Sequence, residues 1–451
     1  MRINLVKWNW RKPENIYFLI ALFLGLLFAL ITPPFQVPDE STHFFRANQI
    51  AEGKVFGVEG EIISSIHAFN SEFRKIDLQF KLYRKIDPVI LIDGFFMPLN
   101  KEEKINISTP TTINYHSIMY LPQTLGVLAG KALNFSPYKL LLTSRIVNLI
   151  FGILLTTLAI KICPFRKWSL LYISLLPMTL FLYGSASPDT FTISVCIFYT
   201  SFVMYLKTQG ASRNNIVLII LLTFLLAFLK PGYVFLCLII FLVPIFPKNK
   251  SYDTTAKLAI IFATFALFLV WYKVSGNFEP EPFLANGGVD SARQLEYVLM
   301  NPFRFIRIFL YDLVADSAGS VLMFIGVLGW VDTVLPIGVY VIYELCLGFI
   351  LIFDNDYPIK SIKNSRLILM GTFLITFTIL YAVFYFIYTP VGADRIQGFQ
   401  GRYILPIASL VFISFLNARK KFYFNKIYLF VPFWVIGGVI SILTVISRYY
   451  G

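Results

Sequence analysis

Residues 14–46 read ENIYFLIALFLGLLFALIT–PPFQVPDESTHFFR. The first part is an unbroken apolar run of the length that spans a bilayer, about 17 to 25 residues in general terms. Arg2, Lys7, Arg11 and Lys12 precede it. A basic start and an apolar run also describe a secretory leader. The run ends in Thr32-Pro33-Pro34-Phe35, with no small-x-small cleavage pattern, so it reads as a retained first helix. The second part is the densest polar cluster of the chain, set directly at the far end of that helix.

The rest of the chain repeats the first part. Of its 451 residues, 57% are apolar, 17% aromatic and only 14% charged, against about 25% charged in soluble domains. Mean hydropathy is +0.70. This excludes an ordinary soluble enzyme, a disordered chain and a disulfide scaffold. Cys163, Cys196, Cys237 and Cys346 form no CxxC, and the three histidines cannot build a His-rich metal cage. Apolar runs at 14–32, 141–160, 168–184, 190–206, 214–229, 231–247, 258–272, 336–353, 367–387, 403–418 and 427–446 predict about eleven transmembrane helices. Helices satisfy every backbone group within one segment, and period-two alternation is absent, which argues against a β-barrel.

The formal charge of +14 would suggest nucleic acid in a soluble protein. Here the basic residues lie between apolar runs and report topology. Six groups stand out: the N-terminal one; Lys161, Arg166 and Lys167; Lys207 and Arg213; Lys248, Lys250 and Lys257; Lys360, Lys363 and Arg366; and Arg419, Lys420, Lys421 and Lys426, while the intervening short loops hold few basic residues, none in 184–190, Lys230 alone near 230, and Arg395 and Arg402 in 388–402. With about eleven spans and a cytoplasmic N-terminus, all six fall on the cytoplasmic side and the C-terminus lies outside. Residues 117–130 and 317–331 are apolar too, but counting either as a full span would invert later basic groups. They are expected to be juxtamembrane, interfacial or re-entrant. The chain is thus one membrane domain, 1–451, with extracytoplasmic segments at 33–140 and 273–335.

Polar residues of the expected outer face stand out. Pro38 fits the position before a helix starting at 39, with Asp39 as its cap. On that helix Asp39, His43 and Arg46 share a face, while Glu40 turns away. A stable interfacial helix and a carboxylate poised as a base both fit. His116 fits an aromatic belt or a ligand donor. Arg145 fits headgroup snorkelling or an anion site. Asp189 reads as a helix cap or as a partner of Asp39 for sugar hydroxyls or a metal. Lys230 is the one basic residue of its outer turn. Glu344 falls mid-helix, where a carboxylate is costly. Gln400 and Arg402 stand at a helix start, and backbone N–H groups with a guanidinium favour phosphate.

Pro33-Pro34, Pro38-Asp39-Glu40, His43-Phe44, Arg46-Ala47, Tyr120-Leu121-Pro122, Gly329-Trp330-Val331-Asp332, Leu335-Pro336 and Gln400-Gly401-Arg402-Tyr403 together resemble the bacterial DUF2142 family of multi-spanning membrane proteins, over roughly residues 14–417. That family looks related to the GT-C glycosyltransferases, although the usual His/Lys-Pro-Pro of those enzymes is here His116-Ser117-Ile118. The resemblance implies an all-α, GT-C-like bundle in the bacterial inner membrane, active on the periplasmic side. It implies an inverting transfer of a sugar, glucose as a first guess, from polyprenyl (undecaprenyl) phosphate to a surface polysaccharide such as O-antigen or a lipid-linked glycan.

By the same resemblance Asp39 matches the catalytic acidic position, with Glu40 able to share the role. Asp189 resembles the second acidic site. Arg402, Gln400, Arg145 and Lys230 are then expected at the donor phosphate, and His43, Arg46, His116, Tyr120, Trp330, Asp332 and Tyr403 about the substrate. Some relatives use a metal and others none, so a divalent cation at Asp39 and Asp189 and the absence of any cofactor both stand. A flippase or transporter of lipid-linked sugars, and a glycan polymerase or ligase, are the alternatives.

Overall fold

The computed structural model describes residues 9–57, 59–112, 115–275, 287–354, 365–414 and 426–451. Arg2, Lys7, Lys360, Lys363, Arg419, Lys420 and Lys421 of the basic groups lie outside the described residues. The described chain is helical apart from two small antiparallel ribbons. One pairs β1 (Glu59–Ile63) with β2 (Lys104–Ser108), and the other pairs β3 (Val327–Leu328) with β4 (Thr333–Val334).

Among the described residues, six helices are long and apolar enough to cross a bilayer by themselves. They are α1 (Pro13–Ile31), α6 (Pro137–Ile162), α9 (Asp189–Gln209), α11 (Lys250–Ser275), α16 (Ser365–Ile387) and α18 (Lys426–Tyr449). Two more, α13 (Pro302–Ala315) and α14 (Ser317–Gly326), meet at a 57° bend and bring the number to seven if counted as one span. The other expected spans are shorter or broken. Residues 168–184 divide into α7 (Lys167–Ser174) and α8 (Pro177–Tyr183). Pro177 has no N–H to continue the ladder, so the helix restarts there. Residues 214–247 form α10 (Arg213–Leu225), then 3-10 turns Leu226–Phe228 and Tyr233–Leu242, with the break at Lys230-Pro231-Gly232. The last two short helices are α15 (Ile337–Phe353) and α17 (Leu405–Ser414).

The expected outer segment 33–140 is a cap of short pieces: α2 (Glu40–Ala51), α3 (Ser64–Ile76), α4 (Pro88–Phe96), the β1–β2 ribbon and α5 (Leu121–Ala132). At 12 residues, α5 is too short to span. It packs on α6 closely: a Cβ at Gly126 would stand 2.6 Å from the Ser144 backbone. In the described part of 273–335, α12 (Ser291–Met300) leads into the bent pair.

Ion pairs fix which helix ends lie together. At one end Lys167 Nζ is 3.8 Å from Glu14, Ser169 donates two bonds of 2.8 Å to Asp354, and Lys426 Nζ is 3.6 Å from Asp354. Thus the starts of α1, α7 and α18 share an end with the finish of α15. At the opposite end the Tyr450 hydroxyl donates to Ile31 O at 2.9 Å. Both α1 and α18 therefore run from the first end to the second. Trp434 is fully buried in the first half of α18, stacked on Trp168 of α7 with centroids 6.1 Å apart.

Candidate functional site

The loop joining α1 to α2 is buried from Pro33 to Pro38 and surfaces at Asp39. The Phe35 ring packs against Phe69 and Phe73 at 5.7 and 6.0 Å. Its carbonyl accepts from Trp330 Nε1 at 3.0 Å. Phe35 and Asp39 both sit in the left-handed region, at φ 64° and 62°, a conformation uncommon for residues with a Cβ and held only by its surroundings. Asp39 occupies the cap position of α2 without a side-chain cap bond, contrary to expectation. The left-handed turn aims its carboxylate outward, half exposed at 50%.

The same turn drives Glu40 inward. Its Oε1 accepts from Arg145 Nε at 2.7 Å and from Ala186 N at 3.0 Å, while Oε2 accepts from Arg145 Nη2 at 2.6 Å and Phe35 N at 3.0 Å. Arg145 also donates to the carbonyls of Ala29, Thr32 and Pro33. All five guanidinium N–H groups are thereby used. Two expectations are corrected here. Arg145 has no donor left for a phosphate, and Glu40 is not placed to share the work of Asp39. Together they fasten α1, α2, α6 and the 184–188 loop.

Around Asp39 three distant stretches converge. Arg402, at the start of the 3-10 turn Gly401–Ile404, places Nη2 3.8 Å from Asp39 Oδ2 and Nη1 3.7 Å from Asp189 Oδ2. Lys230 pairs with Asp189, the first residue of α9, and its ammonium stands 5.0 Å over the Tyr115 ring and 5.7 Å over Tyr403. His43 Nδ1 and the Tyr120 hydroxyl share a hydrogen bond of 2.9 Å, and the His43 ring meets Tyr115 edge-on at 5.4 Å. The sequence pairs Tyr115 with His116 in one stretch but assigns a site role only to His116. The position of Tyr115 between Lys230 and His43 is set by packing alone.

Electrostatics sort these groups. Burial, with the nearby Lys230 and Arg402 charges, brings His43 down to about 3 despite Asp189, so it is neutral at physiological pH. Burial would lower Lys230, but Asp189 together with Tyr115 and Tyr403 holds the ammonium above the ordinary lysine range. Arg402 is likewise kept charged against burial, by Tyr403, Asp189 and Asp39. Its Nη2 donates to the Tyr403 hydroxyl at 3.3 Å, and its buried Nε has no partner. The carboxylates at 3.7–3.8 Å lie beyond hydrogen-bond length. Arg402 thus keeps donor capacity for an anion, beside a solvent-facing carboxylate.

Other expected site residues serve the scaffold. Arg46 donates to Gln49, to the carbonyls of Lys54 and Val55, and to Ser117. His116 caps the 3-10 turn at Ile118 N and packs on Phe228 and Trp271. Asp332 accepts from Phe80 N, Thr333 and Arg448. Trp330 supports the Phe35 turn from below. Gln400 precedes the Arg402 turn, and its Oε1 is buried without a partner. Among the described residues no three His, Cys, Asp or Glu side chains converge as metal ligands. Asp189 is already matched by two cations, so within this cluster Asp39 is the carboxylate left to spare. That donor set does not fit a divalent ion.

A family model described as "Predicted membrane protein (DUF2142)" matches residues 22–411, which hold the whole cluster. The chain belongs to this family. The DUF2142 match takes in both Asp39 and Arg402 and every helix from α2 to α16. No curated protein and no solved structure matches the chain.

Proposed function

We propose that this DUF2142 protein is an inverting glycosyltransferase of the GT-C type. It moves a sugar from a polyprenyl-phosphate donor to a glycan acceptor at the extracytoplasmic face of the bacterial inner membrane. The single observation that carries this reading is the half-exposed Asp39 carboxylate 3.8 Å from the buried, donor-rich Arg402. The topology that goes with it is about eleven crossings, counting the short and broken helices, with the N-terminus inside and the C-terminus outside. Odd parity is supported by α1 and α18 both running from the Glu14–Lys167 end to the Tyr450–Ile31 end.

In this reading Arg402 binds the donor phosphate, with Lys230 adding charge behind it. An acceptor hydroxyl attacks the anomeric carbon opposite the phosphate. Its proton passes to Asp39, a carbon–oxygen bond forms, and the bond from the anomeric carbon to the phosphate oxygen breaks. The electron pair leaves on the phosphate, where Arg402 stabilises it. Tyr115 and Tyr403, both partly exposed, offer ring faces to the sugar, while the buried Tyr120 positions His43 behind them.

The test uses full-length protein in vesicles with a lipid-linked sugar, glucosyl polyprenyl phosphate first. Transfer releases free polyprenyl phosphate and glycosylated acceptor. A flippase leaves the sugar–phosphate bond intact, and that outcome, with any donor that binds, would refute the reading.

A further inference from the structure

An open cavity of about 340 Å3 lies between the bent pair α13–α14 and helices α15, α16 and α17. Its volume is in the range of a small-molecule site, about 300–1,000 Å3. The rings of Tyr172, Phe324, Phe373, Phe377, Tyr381 and Phe412 line it, and so does the carboxylate of Glu344. We propose that this chamber binds a hydrophobic organic cation, a protonated amine, with Glu344 as its counter-ion. Neither Asp39 nor Arg402 lines the chamber, and the site does not rest on the glycosyltransferase reading.

Glu344 calls for an occupant. Helix α15 runs from the end where Arg448 meets Asp332 to the end where Lys426 meets Asp354. Glu344 lies near the middle of its 17 residues, at least about 10 Å from either end. Its side chain is exposed, and among the described residues nothing bonds to its carboxylate or pairs with it. A carboxylate at that depth is costly unless a partner reaches it. Among the described residues no Lys, Arg or His lines the chamber. The countercharge therefore has to come from a ligand.

Tyr172 of α7 points the same way. It is 1% exposed and lines the chamber, and its hydroxyl has no hydrogen-bond partner among the described residues. A buried polar group left without a partner is rare, and this one can accept from the N–H of an ammonium. The other acid of the wall is already matched: Asp312 accepts from Arg395 and from the backbone N–H of Ile396, and Arg395 also holds Asp316 at 2.7 Å. Six aromatic rings around one free carboxylate favour an organic cation over a neutral ligand or an anion. A hard metal ion would need about six oxygens. A lipid tail would cover the rings and leave Glu344 unmatched.

The experiment uses the full-length protein in nanodiscs, with binding to empty nanodiscs subtracted. Three probes share one skeleton and differ in charge: N,N-dimethyl-4-phenylbutylamine, 4-phenylbutanol and 4-phenylbutyrate. At neutral pH the amine is expected to bind at least about tenfold tighter than the alcohol, with the butyrate weakest. Glu344→Gln is expected to remove the advantage of the amine while leaving the alcohol's binding in place. Phe377→Leu, which takes away one ring face, is expected to weaken the amine more than the alcohol. Equal binding of the three probes, or a folded Glu344→Gln variant that still prefers the amine, would overturn the site.

Should Glu344→Gln disturb folding, dicyclohexylcarbodiimide, a reagent for carboxyl groups in apolar surroundings, is applied to the unaltered protein. It is expected to modify Glu344, and the tertiary amine is expected to protect that residue where the alcohol does not. A Glu344 that takes no label, or equal protection by amine and alcohol, would overturn the site. So would a second copy of the chain crosslinked through Val341→Cys, on the exposed face of α15, that shuts out the amine. The Asp39–Arg402 reading would survive each of these results, and its own failure would leave the amine site standing.

Discussion

Glu40 and Arg145 form a two-pronged ion pair with no exposure on either side, at 2.6 and 2.7 Å, directly beneath the outward-facing Asp39. Removing one partner leaves the other charged and buried. Glu40→Ala or Arg145→Ala is expected to cost about 3–5 kcal/mol. Thermal unfolding in detergent, or the amount of protein recovered from membranes, checks this. Variants with normal melting would show that the pair does not hold the cap.

Asp39→Asn should behave in the opposite way. The residue is half exposed and makes no cap bond, so its melting temperature should match the wild type. Transfer should fall about 10²–10⁴-fold, the usual contribution of a general base. Release of polyprenyl phosphate is the readout. Wild-type turnover in Asp39→Asn would remove the proposed base.

Arg402→Ala is expected to weaken donor use more than acceptor use, seen as a rise in donor KM and a fall in kcat. Arg402→Lys should recover little, since an ammonium lacks the planar fork that holds a phosphate by two bonds. Equal loss toward donor and acceptor would mean structural damage instead of a lost phosphate contact.

His43 gives a pH signature. Its pKa is about 3 when folded, against an ordinary value of 6.5. Between these values the unfolded chain binds the extra proton, so stability falls as pH drops through that window. Lys230, Arg402 and Asp189 are the charges facing it. His43→Gln should flatten the melting-temperature profile between about pH 6.5 and 3 relative to wild type. An identical slope in both proteins would show that His43 is not the group responsible.

Gly329 turns the chain at φ 61°, and a Cβ there would stand 2.3 Å from Asp332 Oδ1 and 2.6 Å from the Tyr449 hydroxyl. Gly329→Ala should cost about 1–3 kcal/mol. A drop in melting temperature checks it, and no drop is expected for Gly319→Ala in α14, whose added Cβ would meet nothing within 4 Å and favours the helix.

The long apolar runs are legible because hydropathy alone marks them, and α1, α6, α9, α11, α16 and α18 coincide with the expected segments. The break at Pro177 is legible in kind, since a proline inside an apolar run ends a helix, yet hydropathy alone passes over it. The meeting of Asp39 with Arg402 can be expected because, in the proposed orientation, Arg402 is a cation on a face that disfavours cations and needs a use. The fates of Glu40 and Arg145 cannot. Helical spacing predicts Glu40 about 100° from Asp39, but a left-handed turn at Asp39, imposed by the buried Phe35 loop, decides which of the two faces solvent. Likewise Trp330 and Asp332 have polar, turn-rich surroundings in sequence, and only packing reveals that they brace the Phe35 turn and Arg448.

The final helix reaches back to the cap. Arg448 donates to the carbonyls of Leu78 and Arg84 and to Asp332, and Ile86 N donates to Tyr449 O. Leu78 therefore waits for a partner translated 370 residues later. The 78–86 part of the cap cannot settle until α18 has been inserted, and a nascent chain stalled before that point carries those carbonyls without their guanidinium partner.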